Sequence, residues 1–75
     1  ADRWGRVWVL DSAQQSIRIF FDGLFAGAIA FRDLGVIESG SIAIHDSTLY
    51  VADTRGGRIG AFRLIPPPGG GAPRP

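Results

Sequence analysis

One stretch of this chain occurs twice. We call the separation in sequence between equivalent residues of the two copies, for example from Val9 to Val51, the repeat step. The run Val7–Ser12 followed by Ile17–Phe20 is matched by Leu49–Thr54 followed by Ile59–Phe62. Four positions are identical at the repeat step, namely Val9 and Val51, Asp11 and Asp53, Ile17 and Ile59, and Phe20 and Phe62. Trp8 and Ser12 are replaced conservatively, by Tyr50 and Thr54. The repeat predicts two like structural units in a chain of only 75 residues.

Strand-like segments cover most of the chain before Pro66. They are rich in β-branched and aromatic residues, and we place them at Arg6–Leu10, Ser16–Phe21, Leu24–Ala30, Ser41–Ile44, Thr48–Ala52 and Arg58–Ile65. Asp22-Gly23 is the strongest hairpin signal, because Asp-Gly suits a two-residue turn with positive φ. Leu24–Phe31 is also alanine-rich, as a helix would be, but Gly27 in its middle favours a strand.

A period of about 40–45 residues with several short strands is typical of β-propeller blades, and the repeat step falls within it. We predict an all-β fold of antiparallel blade-like sheets, with unit one at about residues 4–31, a connector at 32–40 and unit two at 41–65. Unit one supplies the last three strands of a four-stranded blade and unit two the first three, so the propeller is incomplete. Residues 66–75 are rich in Pro and Gly and are predicted to form either a tail or linker or, as we favour, an extended arm that docks on a partner.

Composition narrows the ways in which so small a fold is stabilised. The chain has no cysteine and one histidine, so neither disulfides nor a protein-only metal cage is available, and association remains. Eight arginines and seven acids are scattered, which argues against nucleic-acid binding. No apolar stretch is long enough for membrane insertion. Because the sequence begins at Ala1, we expect a processed chain or a fragment, with a secreted, periplasmic or extracellular location favoured.

The second unit resembles the NHL repeat. Its run from Leu49 to Phe62 has the aromatic-Val-Ala-Asp core, the polar turn, and the Arg-Ile and Phe typical of that family, and Gly40–Ile44 is similar to the preceding strand. The first unit resembles it more loosely, because Leu10 stands where Ala is usual and Ser16 where Arg is usual. The resemblance implies an NHL-type propeller, a fold whose faces hold peptides, proteins or RNA.

Two groups of residues are singled out. The first is structural: β-branched residues between stacked sheets, aspartates that accept amide hydrogen bonds of the following turn, and large aromatics, at Val9, Asp11, Ile17, Phe20, Val51, Asp53, Ile59 and Phe62. The second contains candidate contacts with a partner protein, at Trp4, Phe21, Phe31, Arg55, Arg58, Pro66, Pro67, Pro68 and Arg74.

The sequence contains few residues that could support catalysis. NHL-type propellers include a metal-dependent lyase with several histidines, whereas His45 is alone in a turn beside Asp46. We therefore predict no catalytic residues and no cofactor, and leave His45 as a possible metal ligand contributed to a neighbouring subunit. The sequence favours a non-catalytic interaction or scaffold subunit that completes its sheets with other copies or a larger assembly. The alternatives are a fragment of a larger NHL-type lyase or hydrolase, and an RNA-binding propeller segment.

Overall fold

Two antiparallel three-stranded sheets make up residues 1–67, the part of the chain that the computed structural model describes. Sheet A contains β1 (Arg6–Asp11), β2 (Ser16–Phe21) and β3 (Leu24–Ala30) in that order. Sheet B contains β4 (Ser39–His45), β5 (Thr48–Asp53) and β6 (Arg58–Arg63), and a short 3-10 helix, η1 (Phe31–Leu34), lies between the sheets in sequence. The prediction of an all-β antiparallel fold is confirmed.

The repeat of sequence is also a repeat of structure. The bounds of β5 and β6 are those of β1 and β2 moved along the chain by one repeat step. Each pair of strands is joined by a four-residue turn whose last residue has positive φ, 51° at Gln15 and 69° at Gly57. Within residues 1–67, β3 has no equivalent after β6, and β4 has none before β1.

Tight turns fix the register of the other two hairpins. Asp22 and Gly23 both have positive φ, 51° and 77°, which confirms the predicted two-residue turn between β2 and β3. Asp46, with φ of 56°, begins the equally short turn between β4 and β5, where His45 pairs with Thr48. These turns keep the strands of each sheet consecutive in space.

The connector differs from the loop expected over residues 32–40. Its beginning forms η1, because the Phe31 amide donates to the Gln15 carbonyl at 2.9 Å and Gly35, with φ of 70°, ends the helix in the left-handed region. Its end belongs to β4, since Ser39 already pairs with Asp53 and only Gly40 is left unopposed as a bulge.

The last strand is shorter than predicted. It ends at Arg63 rather than Ile65, because the Leu64 amide donates to the Ser47 carbonyl at 2.7 Å instead of continuing the ladder.

The core lies between the two sheets. Side chains alternate between the faces of a strand, and residues paired across strands share a face. Sheet A therefore presents Trp8, Leu10 and Ile17 to sheet B, which presents Ile42, Leu49, Val51 and Phe62 in return. Trp4, Phe31, Val36 and Leu64 close the margins of this core, and Ile17 and Val51 at its centre are 0% exposed.

Candidate interaction surface

The side of sheet A that faces away from sheet B is largely apolar. We call it the Val9 face, and its members are Val7, Val9, Asp11, Ser16, Arg18, Phe20, Phe25, Ala28 and Ala30. Val9 is 42% exposed and Phe25 is 55% exposed. Arg18 lies flat on this face, with its guanidinium 4.9 Å from the centre of the Phe25 ring and 3.6 Å from the Asp11 carboxylate. The charge of Arg18 is thus balanced locally, and apart from Arg18, Asp11 and Ser16 the face is hydrophobic.

Sheet B also has an uncovered side, which we call the Tyr50 face. Its uncharged members are Ser41, Ala43, Tyr50, Ala52, Ile59 and Ala61, and at one end the face continues with His45, Thr48 and Arg63. Ile59, on the edge strand β6, is 72% exposed, although isoleucine is among the residues most often buried. Small residues leave a shallow depression of about 150 Å³ beside Tyr50 and Ile59. Like the Val9 face, this surface has the apolar composition of a protein interior, yet residues 1–67 place no second layer over it.

Strand edges form a second kind of unsatisfied surface. Within residues 1–67, β1, β3, β4 and β6 each pair with one neighbour only. A groove of about 260 Å³ follows β6 and is walled by Leu34, Val36 and Phe62 together with Asp53 and Arg58. The 3-10 helix and the connector form its far side. A strand laid in this groove would be the fourth of sheet B.

Asp53 organises the end of sheet B from beneath this groove. Its carboxylate accepts hydrogen bonds from the amides of Gly56 (2.9 Å), Ile37 (3.2 Å) and Glu38 (3.3 Å), and the Arg58 guanidinium lies 3.8 Å away. The hydrogen bond from Gly56, those from Ile37 and Glu38, and the charge of Arg58 together hold the pKa of the Asp53 carboxyl below its usual range, against the opposing effect of burial. The predicted role of this residue in its turn is confirmed, and it also fastens the connector.

A buried charge cluster at the start of the chain was not predicted. Asp2 accepts hydrogen bonds from the Trp4 and Arg6 amides, both at 2.9 Å, from Arg6 Nε at 2.6 Å and from Trp8 Nε1 at 3.0 Å. Burial alone raises the pKa of the Asp2 carboxyl, but the hydrogen bonds from Trp8, Arg6 and Trp4 outweigh it, so its pKa lies below the ordinary value. Alternation of tryptophan with charged residues over Asp2–Trp8 is the sequence signal that could have revealed it.

The Arg6 guanidinium connects this cluster to the end of the described chain. It lies between the rings of Trp4 and Trp8, 5.2 and 5.3 Å from their centres, and donates to the Ile65 carbonyl at 2.6 Å. Leu64 is also buried, so the start of the segment after β6 packs against this chain itself and not against a partner. The partner-docking arm was predicted from Pro66 onward; Pro66 is exposed and Pro67 half-buried, while Pro68 and Arg74 lie outside the described residues.

The other residues predicted to contact a partner differ in their exposure. Trp4 and Phe31 are buried in the chain's own core, so they are not available to a partner, and Phe21 is half-buried. Arg55 is exposed in the turn after β5, and Arg58 is exposed while donating to the Gly35 carbonyl at 2.7 Å. Sequence reasoning also placed Val9 and Ile59 between stacked sheets, whereas here they lie on the two uncovered faces.

His45 is exposed at the end of β4. Within residues 1–67, no three side chains of His, Asp or Glu come together as a metal-binding group. In the same part of the chain, no helix has the length and apolarity needed to cross a membrane. The surfaces that stand out are therefore the Val9 face, the Tyr50 face and the open strand edges.

Comparison of the chain with protein-family models, with curated proteins and with solved structures finds no match.

Proposed function

We propose that this protein is a non-catalytic interaction subunit that completes its sheets by associating with other protein chains. The observation that carries the proposal is the pair of apolar sheet faces, one on each side of the molecule, over which residues 1–67 place no second layer. Small domains bury too little surface to be robust alone, and association supplies the missing burial. We further propose that the two sheets are NHL-type propeller blades, on the strength of the sequence resemblance and of their repeated hairpins.

The arrangement of open surfaces supports protein partners rather than small ligands. Contiguous apolar faces of this kind mark protein–protein contacts, and the one charge at the centre of the Val9 face, that of Arg18, lies beside the Asp11 carboxylate. Open strand edges add a second mode, in which a partner strand extends the sheet through backbone hydrogen bonds. The grooves of residues 1–67 are shallow. The one along β6 contains Asp53 and Arg58, whose polar atoms already contact one another or the backbone, and another of about 250 Å³ is lined by Gln14, Gln15 and Arg32.

Light scattering coupled to size-exclusion chromatography tests the proposal on the full chain. We expect a mass above that of one chain, and a melting temperature that rises with protein concentration because association stabilises the folded state by mass action. A folded monomer at every concentration, with a melting temperature that does not change, would contradict the proposal.

A further inference from the structure

We infer that the partner is a second copy of this chain, and that copies stack head to tail with the Val9 face of one against the Tyr50 face of the next. This inference rests on the proposed function and specifies the surfaces and the occupant. In such a stack, the contact between two neighbouring chains would repeat the contact that sheets A and B make within one chain.

The first argument is the equivalence of the faces. A shift by one repeat step places β1 and β2 on β5 and β6, so each face of sheet A has an equivalent face of sheet B. Val7, Val9 and Phe20 of the Val9 face correspond to Leu49, Val51 and Phe62, which face sheet A in the core. The Tyr50 face corresponds in the same way to the side of sheet A that carries Trp8 and Ile17. The two uncovered faces are therefore counterparts of the two faces that already pack together.

The second argument is that residue sizes change in opposite directions near the centres of the two uncovered faces. On the Val9 face Arg18, which pairs with Val9, replaces the equivalent Gly60 and adds a large side chain there, while Ser16 and Val7 toward the ends are smaller than their equivalents Arg58 and Leu49. On the Tyr50 face Ala52 and Ala61 replace Leu10 and Ile19, which makes that surface smaller and leaves its depression of about 150 Å³. Large residues on one face and small ones on the other are what close packing between them requires.

Head-to-tail stacking is also the arrangement that covers both faces at once. Pairing two Val9 faces would bring Arg18 toward its own copy and leave both Tyr50 faces open. Contacts between unlike faces form rings when the rotation closes and filaments when it does not. Each chain has two sheets, and the smallest closed propellers have about four blades, so two copies are the smallest ring.

Substitutions at Val9 and Ile59 test this arrangement directly. Their equivalents, Val51 and Ile17, are both 0% exposed at the centre of the core, so Val9 and Ile59 should meet at the centre of the new contact. Both are exposed in the single chain, so Val9→Arg and Ile59→Arg should fold, which circular dichroism verifies. Each variant alone should have the mass of one chain, because it blocks one of the two required faces in every molecule. Ile37→Arg, at an exposed position outside both faces, is the matched control and should keep the wild-type mass.

Mixing the two variants gives the decisive result. The intact Tyr50 face of Val9→Arg should bind the intact Val9 face of Ile59→Arg, producing a one-to-one complex that grows no further. A second readout uses Val9→Cys and Ile59→Cys, since the chain has no cysteine of its own, and oxidation of the mixture should favour the mixed disulfide over either like pair. If wild type associates but Val9→Arg retains its mass, or the arginine mixture stays monomeric, head-to-tail stacking is wrong while the proposed function stands. A monomeric wild type would instead overturn the proposed function.

Discussion

The carboxylate of Asp53 accepts hydrogen bonds from three backbone amides, whereas that of Asp11, at the equivalent position, accepts one, from Gln14 at 3.1 Å. Each is the last strand residue before a four-residue turn, so their local role is the same. Asp53 is buried and reaches the connector as well, because in the second unit Ile37 and Glu38 lie beside the turn. The same aspartate of the repeat therefore makes more structural contacts in the second unit than in the first.

We expect Asp53→Asn to destabilise the protein clearly more than Asp11→Asn. An asparagine side chain offers one acceptor oxygen, and its amide group would face a backbone amide that now donates to a carboxylate oxygen. Asp11 is half-buried and its bond to Gln14 is exposed, so water can replace what is lost there. Urea unfolding of both variants measures the difference. Equal losses would mean that the connector contacts of Asp53 contribute nothing.

Acid should unfold this protein earlier than its composition suggests. Asp2 and Asp53 both have a pKa below the ordinary value in the folded chain. Such groups contribute stability that is fully present above their unfolded pKa, about 3.9, and that is lost as pH falls through the lower folded value. The urea midpoint should therefore fall steeply below about pH 4. Asp53→Asn should flatten that fall, and an unchanged pH profile in this variant would contradict the assignment.

At the scale of the strand and the turn, the hairpin of β2 and β3 offers a clean comparison of two glycines. Gly23 has φ of 77°, whereas Gly27 lies within β3 and an added Cβ there meets no atom within 4 Å. Gly23→Ala should destabilise the protein by about 1–2 kcal/mol, the cost of a left-handed non-glycine residue. Gly27→Ala should stabilise it by roughly 0.5 kcal/mol, because alanine loses less backbone entropy in a strand. Thermal melts check both, and a destabilising Gly27→Ala would show that β3 is more tightly covered than it is here.

The strands were predictable because short, strongly β-forming runs were separated by unambiguous turn residues such as Asp22-Gly23. The 3-10 helix was not, because four residues are too few for a periodic signal and a backbone bond between Phe31 and Gln15 holds its start. The Ser39 pairing was missed for a similar reason: Gly40 looks like a loop residue, yet it is a bulge inside β4. Both misses are decided by contacts distant in sequence.

Which members of the repeat are buried is a property of the whole molecule. Val9 and Val51 are identical in type and position within their units, but only Val51 faces another sheet. Sequence alone marks both as interior residues, because its pattern reflects a stack of sheets in which each unit has neighbours on both sides. Similarly, Trp4 and Phe31 resemble interface anchors until the fold shows that they close the core. Only the structure shows which faces of the two sheets pack together and which are left exposed.

Association through the two uncovered faces should show the thermodynamics of apolar burial. Arg18 is already paired with Asp11 on its own face, and Arg63 of the Tyr50 face lies at its end beside Thr48, away from Ile59, so added salt should weaken association little. Dilution calorimetry at several temperatures should give a negative heat-capacity change on association, with weaker binding on cooling. Strong weakening by salt would instead indicate that exposed arginines make the contact.

The constancy of the repeat step between equivalent strands makes the chain extensible by a simple genetic edit. A second copy of residues 22–63, inserted directly after Arg63, would place the Asp-Gly turn and a new β3 next to β6. The middle sheet would then have four strands, and the new outer sheet would repeat sheet B. We expect this longer protein to melt at a higher temperature than the parent, because each added unit buries the face that its predecessor exposes. A lower melting temperature would mean that the two units, though alike in backbone, are not interchangeable building blocks.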